Sequence, residues 1–386
     1  MTTAVLKTKP HYPILDGLRG VAAITVVAFH IFEAHSTSSL EQIINHGYLA
    51  VDFFFLLSGF VIGYAYDNRW NKMTFKDFAR RRLERLQLMV IMGAIIGALC
   101  FRFQASSLWP MISTIPFWKV LLVMLIGFTM IPLPPSMDIR GWNETYPLNG
   151  PAWSLFYEYI VNILYGLFVR RFSKTLLSIL VLLAAFALIQ FTVTSPSGDL
   201  IGGWSLEPLQ LRIGFTRVLF PFFGGILLFL TAKLTKIKNA FFWSSVLVLV
   251  ILAMPRIGGD QHRWMNGLYE SLSIILIFPL IVYMGASGEL KSKTAKRTCK
   301  FLGDISYPIY ITHYPLIYIY TAWVYDKKIS IRDAYPVSLL VFFSSILLAY
   351  LCLKFYDEPI RNWLKNKTVA LKVKRSRVEE NVVEES

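Results

Sequence analysis

Five short stretches carry polar side chains into otherwise apolar sequence, and their residue types can move protons or hold anions. In ILDGLRGVAAITVVAFHIFE the interruptions are Asp16, Arg19 and His30. In a helix, with about 100° and ~1.5 Å per residue, Arg19 and His30 return to nearly one face, roughly 16 Å apart along the axis. Asp16 lies within about 60° of both, and Gly20, Ala23 and Val27 fill the face between, leaving a slot of little bulk. A neutral imidazole there can take a proton from a hydroxyl. The alternative reading makes His30 a hydrogen-bonded tie between helices, and Asp16 with Arg19 a cap or a structural ion pair. Together on one face, inside apolar sequence where charge is costly, they mark a functional site.

The second stretch, PAWSLFYEYIVNILYG, sets Ser154, Glu158, Asn162 and Tyr165 on one polar stripe. Glu158 and His30 each fall near the outer end of their helices, so the two are expected to meet, with the carboxylate fixing the imidazole tautomer. The alternative is a protonated or ion-paired Glu158 that only knits helices together. In LGDISYPIYITHYPLIYIY, Ser306, Tyr310 and His313 share a face near mid-membrane. His313 there either binds substrate or satisfies its tyrosine neighbours. GYLAVDFFFLLSGFVIGYAY carries Asp52, at the outer helix end, then Ser58, Gly59 and Gly63, small residues that suit close helix packing. FARRRLERL, with Arg80, Arg81, Arg82 and Arg85, is either an anchor facing anionic lipid or a guanidinium cluster for a phosphorylated ligand.

The elements that hold these residues are spanning helices. Of 386 residues, 55% are hydrophobic and 16% charged, well below the roughly one quarter of a soluble domain. The apolar residues gather in runs of about 20, the length that crosses a bilayer. Eleven such segments occur, near 15–33, 47–66, 86–103, 114–131, 152–170, 174–193, 213–232, 240–254, 268–286, 303–323 and 336–355. Lys and Arg concentrate at 67–85, 170–174, 233–238, 291–300 and in the tail, which the positive-inside rule assigns to the cytoplasm. The alternation fails only at 114–131, broken by Pro116 and carrying Lys119, which is expected to lie at the interface or re-enter on the outer side. Ten crossings remain, with both termini cytoplasmic.

The net charge of +15 is spread over these loops and is no nucleic-acid footprint. Cys100, Cys299 and Cys352 have no paired spacing and point to neither a disulfide framework nor a metal site. No cleavable signal peptide is visible, since Asp16 and Arg19 interrupt the first apolar run. The expectation is an all-α integral membrane protein, one polytopic domain over 1–360 and a charged cytoplasmic tail over 361–386.

These motifs resemble the membrane-bound acyltransferase 3 family, bacterial multi-spanning enzymes that O-acylate cell-surface glycans. The Arg–ten residues–His pattern falls at Arg19 and His30, the second-helix motif on GYLAVDFFFLLSGFVIG, and the arginine pair on Arg82 and Arg85. Trp-Ser-Leu-x-x-Glu falls at Trp153 to Glu158, and the late histidine motif at His313, all in the family's order over about 12–360. The arginine motif lacks the proline that often follows it, and no hydrolase-like domain follows the last helix, so a stand-alone form is expected. The resemblance implies ten transmembrane helices in the cytoplasmic membrane and acyl-CoA, usually acetyl-CoA, as donor, with no metal. Arg82 and Arg85, with Arg19, would then hold the donor phosphates. The pantetheine arm would follow the slot on the first helix, and His30, oriented by Glu158, would deprotonate a hydroxyl of a lipid-linked or surface glycan. Asp16, Asp52, Ser58, Trp153, Ser154 and His313 would support the site or contact substrate. The principal rival is a proton-coupled transporter of a glycan-lipid or acylated metabolite, since buried His, Glu and Arg serve that task as well.

Overall fold

Apolar length and proline placement account for most of the architecture. The computed structural model describes residues 11–38 and 40–367, and among these no strand forms. The helices are α1 (Pro13–Glu33), α2 (Ala50–Tyr66), α3 (Phe75–Cys100), α4 (Phe117–Gly127), α5 (Ala152–Leu167), α6 (Lys174–Thr194) and α7 (Pro208–Thr231). They continue with α8 (Ala240–Ala253), α9 (Trp264–Leu272), α10 (Phe278–Ser287), α11 (Lys293–Thr312), α12 (Tyr314–Lys327) and α13 (Ile331–Cys352). A π turn at Ser273–Ile277 joins α9 to α10 without a break, and a second at Leu353–Asp357 carries the last helix on to Lys367. Starts follow the usual chemistry: Pro13 and Pro208 open helices where no N–H is needed. Thr74 and Asp77 form a reciprocal capping box, and Ser173 and Ser330 cap α6 and α13.

Among the described residues, eight helices are long and apolar enough to span a bilayer. The chain is therefore a polytopic helical membrane protein. The segment expected at 114–131 narrows to the eleven residues of α4, about 16 Å, too short to cross. It packs with Trp109, Ile112, Leu133, Leu148 and Tyr318 in a small core of its own. The segment expected as one helix over 303–323 breaks at His313. Pro315 offers no N–H to the turn before it, so α11 ends at Thr312 and α12 starts anew at Tyr314. The last helix runs past the expected domain end at residue 360, and the remainder of the expected tail, 368–386, lies outside the described residues.

Small residues bring several helix pairs to near backbone contact. A Cβ on Gly59 of α2 would lie 1.9 Å from the Phe222 carbonyl oxygen of α7. One on Gly20 of α1 would lie 2.3 Å from the Leu302 oxygen of α11. This corrects the expected slot on α1. Gly20 is closed by α11, and Ala23 and Val27 are buried in a cluster with Ile305 and Ile309. The small residues serve close packing of two helices, not passage of a ligand.

Candidate active site

The site is built where α1 meets the α11–α12 break. His30, one turn before the end of α1, gives its Nδ1–H to Glu33 Oε2 at 2.6 Å, a pair three residues apart on one helix face. A carboxylate only accepts, so the proton sits on Nδ1 and Nε2 keeps its lone pair. The His313 ring stacks beside it, centroids 5.6 Å apart and planes within 28°, and Tyr314 meets His30 edge-on at 4.7 Å. His313 is fully buried, with Nδ1 2.8 Å from the Ile309 carbonyl oxygen.

Glu158 is not the partner of His30. Its Oε1 accepts from Ser58 Oγ and from Arg82 Nη2, both at 2.6 Å. Depth explains the difference. Glu158 and Ser58 sit roughly 10 Å in from the starts of their helices, whereas His30 is about 5 Å from the end of α1. Arg82 also differs from expectation. It is only 5% exposed, and a buried guanidinium needs a carboxylate, so it is committed to Glu158 instead of lying open to phosphate. Arg85 is exposed, within the electrostatic reach of Arg19, Arg82, Asp16 and Glu158. Asp16 and Arg19 pair at 3.3 Å. Arg19 is thus half-buried and Arg85 exposed, whereas Arg82 is buried. Arg19, Phe54, Ser58, Glu158 and Tyr307 are each partly exposed, and Phe54 packs on Tyr310 with ring centroids 5.5 Å apart. Arg361, past the second π turn, binds Asp357 through Nε at 2.8 Å and caps the Arg85 carbonyl through Nη2 at 2.9 Å.

The remaining sequence-derived residues frame the site. Ser154 Oγ hydrogen-bonds the Tyr310 hydroxyl at 2.7 Å. Asp52 is wholly buried and salt-bridged to Arg217 Nη2 at 2.7 Å, and that guanidinium lies 5.1 Å from the Trp153 ring.

Sequence reasoning missed Glu33, Arg217 and two buried networks. A lone arginine inside the apolar run of α7 was a sufficient signal for Arg217. In one network, His46 and Glu270 meet through Asn266, and Tyr48 donates to Glu270. In the other, Arg140 stacks 3.5 Å from the centre of the Tyr318 ring and pairs with Glu144 at 3.2 Å. Burial pushes the Glu144 carboxyl up to about 6, with Arg140 and the Tyr318 hydroxyl pulling it back. Among the described residues, no three His, Cys, Asp or Glu side chains gather as a metal site would need.

Fold and site define a polytopic membrane protein with a carboxylate-held imidazole and an Arg82–Glu158 ion pair inside its bundle. The chain belongs to the family described as Acyltransferase domain, whose model matches residues 12–354, so its class is that of the acyltransferases. Over 376 residues it is 23% identical to O-acetyltransferase OatA of Staphylococcus aureus (strain NCTC 8325 / PS 47), covering 91% of this chain and 58% of that protein. It is 25% identical over 393 residues to the putative peptidoglycan O-acetyltransferase YrhL of Bacillus subtilis (strain 168), covering 92% of this chain and 56% of that protein. A further relative, protein 2 in picA locus of Rhizobium radiobacter, is 32% identical over 160 residues, 40% of this chain and 80% of that protein. The chain spans a little over half the length of the Staphylococcus and Bacillus relatives. No solved structure matches it.

Proposed function

We propose that this chain is an O-acyltransferase of the cytoplasmic membrane, with both termini inside. It moves an acyl group, in the first instance acetyl, from acyl-CoA to a hydroxyl of a cell-surface or lipid-linked glycan. The observation that carries the reading is the His30–Glu33 pair, which leaves Nε2 of a bundle-embedded imidazole as the basic nitrogen. Family membership supports acyl transfer, and the relatives' names support O-acetylation and a glycan acceptor.

Arg85 and Arg19 hold the phosphates of the donor, and Asp16 keeps the Arg19 side chain in place. The acyl end reaches His30 past Ser58 and Phe54. The acceptor oxygen attacks the thioester carbon while Nε2 of His30 takes its proton. The carbon–sulfur bond breaks, CoA leaves as thiolate, and the imidazolium returns the proton to sulfur. Glu33 stabilises the imidazolium in between and holds the ring in the reactive tautomer. Arg82, Glu158, Asp52 and Arg217 hold the walls.

The test compares membranes carrying wild type and His30→Ala, at equal expression, in a host without related enzymes. Each receives radiolabelled acetyl-CoA and mixed lipid-linked glycans, and alkali-labile label is counted. Label in wild type alone supports transfer at His30. Equal label in both removes His30 from the chemistry. No label in either returns the transporter reading.

A further inference from the structure

The lone pair on His313 Nε2 is not used by the mechanism above. The ring is fully buried at the α11–α12 break. A carbonyl only accepts, so the 2.8 Å contact with Ile309 places the proton on Nδ1. Nε2, at the ring tip and farthest from the backbone, is then an acceptor, and it has no hydrogen-bond partner among the described residues. A buried acceptor left unpaired is costly, and each such atom calls for a reason, here a group that arrives from outside the chain. His30 carries the same tautomer, held by Glu33, and its ring lies 5.6 Å away and nearly parallel. Two imidazoles therefore stand side by side with Nε2 unprotonated on each. Tyr314 sets its ring edge-on to both, at 4.7 and 5.7 Å, and Tyr310, whose hydroxyl is taken by Ser154 and Pro151, lies 6.4 Å from His313.

We propose that His313 reads the acceptor: its Nε2 accepts a hydrogen bond from a second O–H or N–H of the glycan, next to the hydroxyl that reacts at His30. The inference rests on the proposed acyl transfer at His30. The donor is the wrong partner for this nitrogen. At its reacting end a thioester presents a carbonyl and a sulfur, both acceptors, and its first N–H lies two carbons beyond the sulfur. A sugar, by contrast, carries further O–H or amide N–H groups on the same or adjoining carbons. The paired imidazoles match a polyhydroxylated or acetamido sugar and discriminate against an alcohol with a single donor. A site built to hydrogen-bond a substrate group rejects ligands lacking it, because its own buried atom is left unpaired. His313 is in this account a specificity residue, and His30 alone takes the proton.

Two variants separate this role from a structural one. In His313→Asn the amide N–H replaces Nδ1–H toward the Ile309 carbonyl, and the acceptor at Nε2 is lost. In His313→Gln an amide oxygen sits near the position of Nε2. Full-length protein in native membranes is assayed with labelled acetyl-CoA and extracted membrane glycolipids, varying each in turn. The expected result for His313→Asn is a KM for glycolipid raised about tenfold or more, with the KM for acetyl-CoA within about twofold of wild type. His313→Gln is expected to recover most of the loss. An unchanged glycolipid KM in His313→Asn overturns the inference, as does an equal rise in both KM values. A His313→Gln variant as impaired as His313→Asn would make His313 a base and not a hydrogen-bond acceptor. No transfer by wild type would sink the acyl-transfer reading itself, and this inference with it.

Discussion

Arg82 reaches across from α3 to give Nη2–H to Glu158 Oε1 on α5, and Ser58 of α2 donates to the same oxygen. Three helices are thereby joined at one largely enclosed carboxylate, 14% exposed on its side chain. Removing the cation strands the anion, which in a buried pair costs about 3–5 kcal/mol. Arg82→Ala is expected to lower the yield of folded protein and its melting temperature in detergent. Replacing both partners, Arg82→Met with Glu158→Leu, should recover much of that stability. Normal melting of Arg82→Ala with only a raised KM for acetyl-CoA would return Arg82 to the donor site.

Glu33→Gln tests the partner of His30. Glutamine keeps a hydrogen-bond acceptor beside Nδ1 but brings no negative charge to the imidazolium. Transfer should fall on the order of 10- to 100-fold, because the proton-accepting step loses its electrostatic support. Glu33 is 46% exposed on its side chain, so thermal stability should hardly move. Full activity in Glu33→Gln would leave His30 without an orienting carboxylate.

The α2–α7 contact allows no side chain at position 59. Gly59→Ala places its methyl 1.9 Å from the Phe222 carbonyl oxygen, and helix backbones must part to admit it. A cost of about 1–3 kcal/mol is expected, read as a lower melting temperature. The Asp52–Arg217 pair joins the same two helices, so activity should drop with it. A melting curve identical to wild type would show that the helices have room to spare.

Glu144 gives the fold a pH dependence of known sign. Burial raises its carboxyl from the ordinary 4.5 to about 6. Between those values the folded chain holds more protons than the unfolded one, so stability falls as pH rises from about 4.5 to about 6 and then levels. The span corresponds to about 2 kcal/mol. Unfolding followed across that window should show the slope in wild type and lose it in Glu144→Gln.

Much of the scaffold was legible because the length of an apolar run is a one-dimensional signal. The apolar runs of α1, α2, α5, α6 and α7, and the break in the spanning pattern at 114–131, needed no tertiary information. Glu158 shows where such reasoning stops. Its depth in α5 could be estimated, but not whether His30 or Arg82 would stand opposite, because relative depth and rotation of separate helices leave no trace in either one. Gly20 and Ala23 posed a different ambiguity, since the same small residues describe a groove and a tight contact. Glu33 was legible in principle at three residues from His30, yet it stood at the helix end, where a carboxylate looks like part of the loop.

The second π turn, Leu353–Asp357, holds one residue more than a regular turn needs. The extra residue is accommodated as a local bulge, and the helix beyond resumes in phase. Deleting one residue within the turn would relax it to ordinary helix and leave Arg361 on the same side, still bridging Asp357 and the Arg85 carbonyl. Deleting one residue between Asp357 and Arg361 would swing the guanidinium about 100° around the axis and break its bond to the Arg85 carbonyl. The junction thus contains a built-in register allowance: a spare residue before the latch, and none between the latch and its anchor.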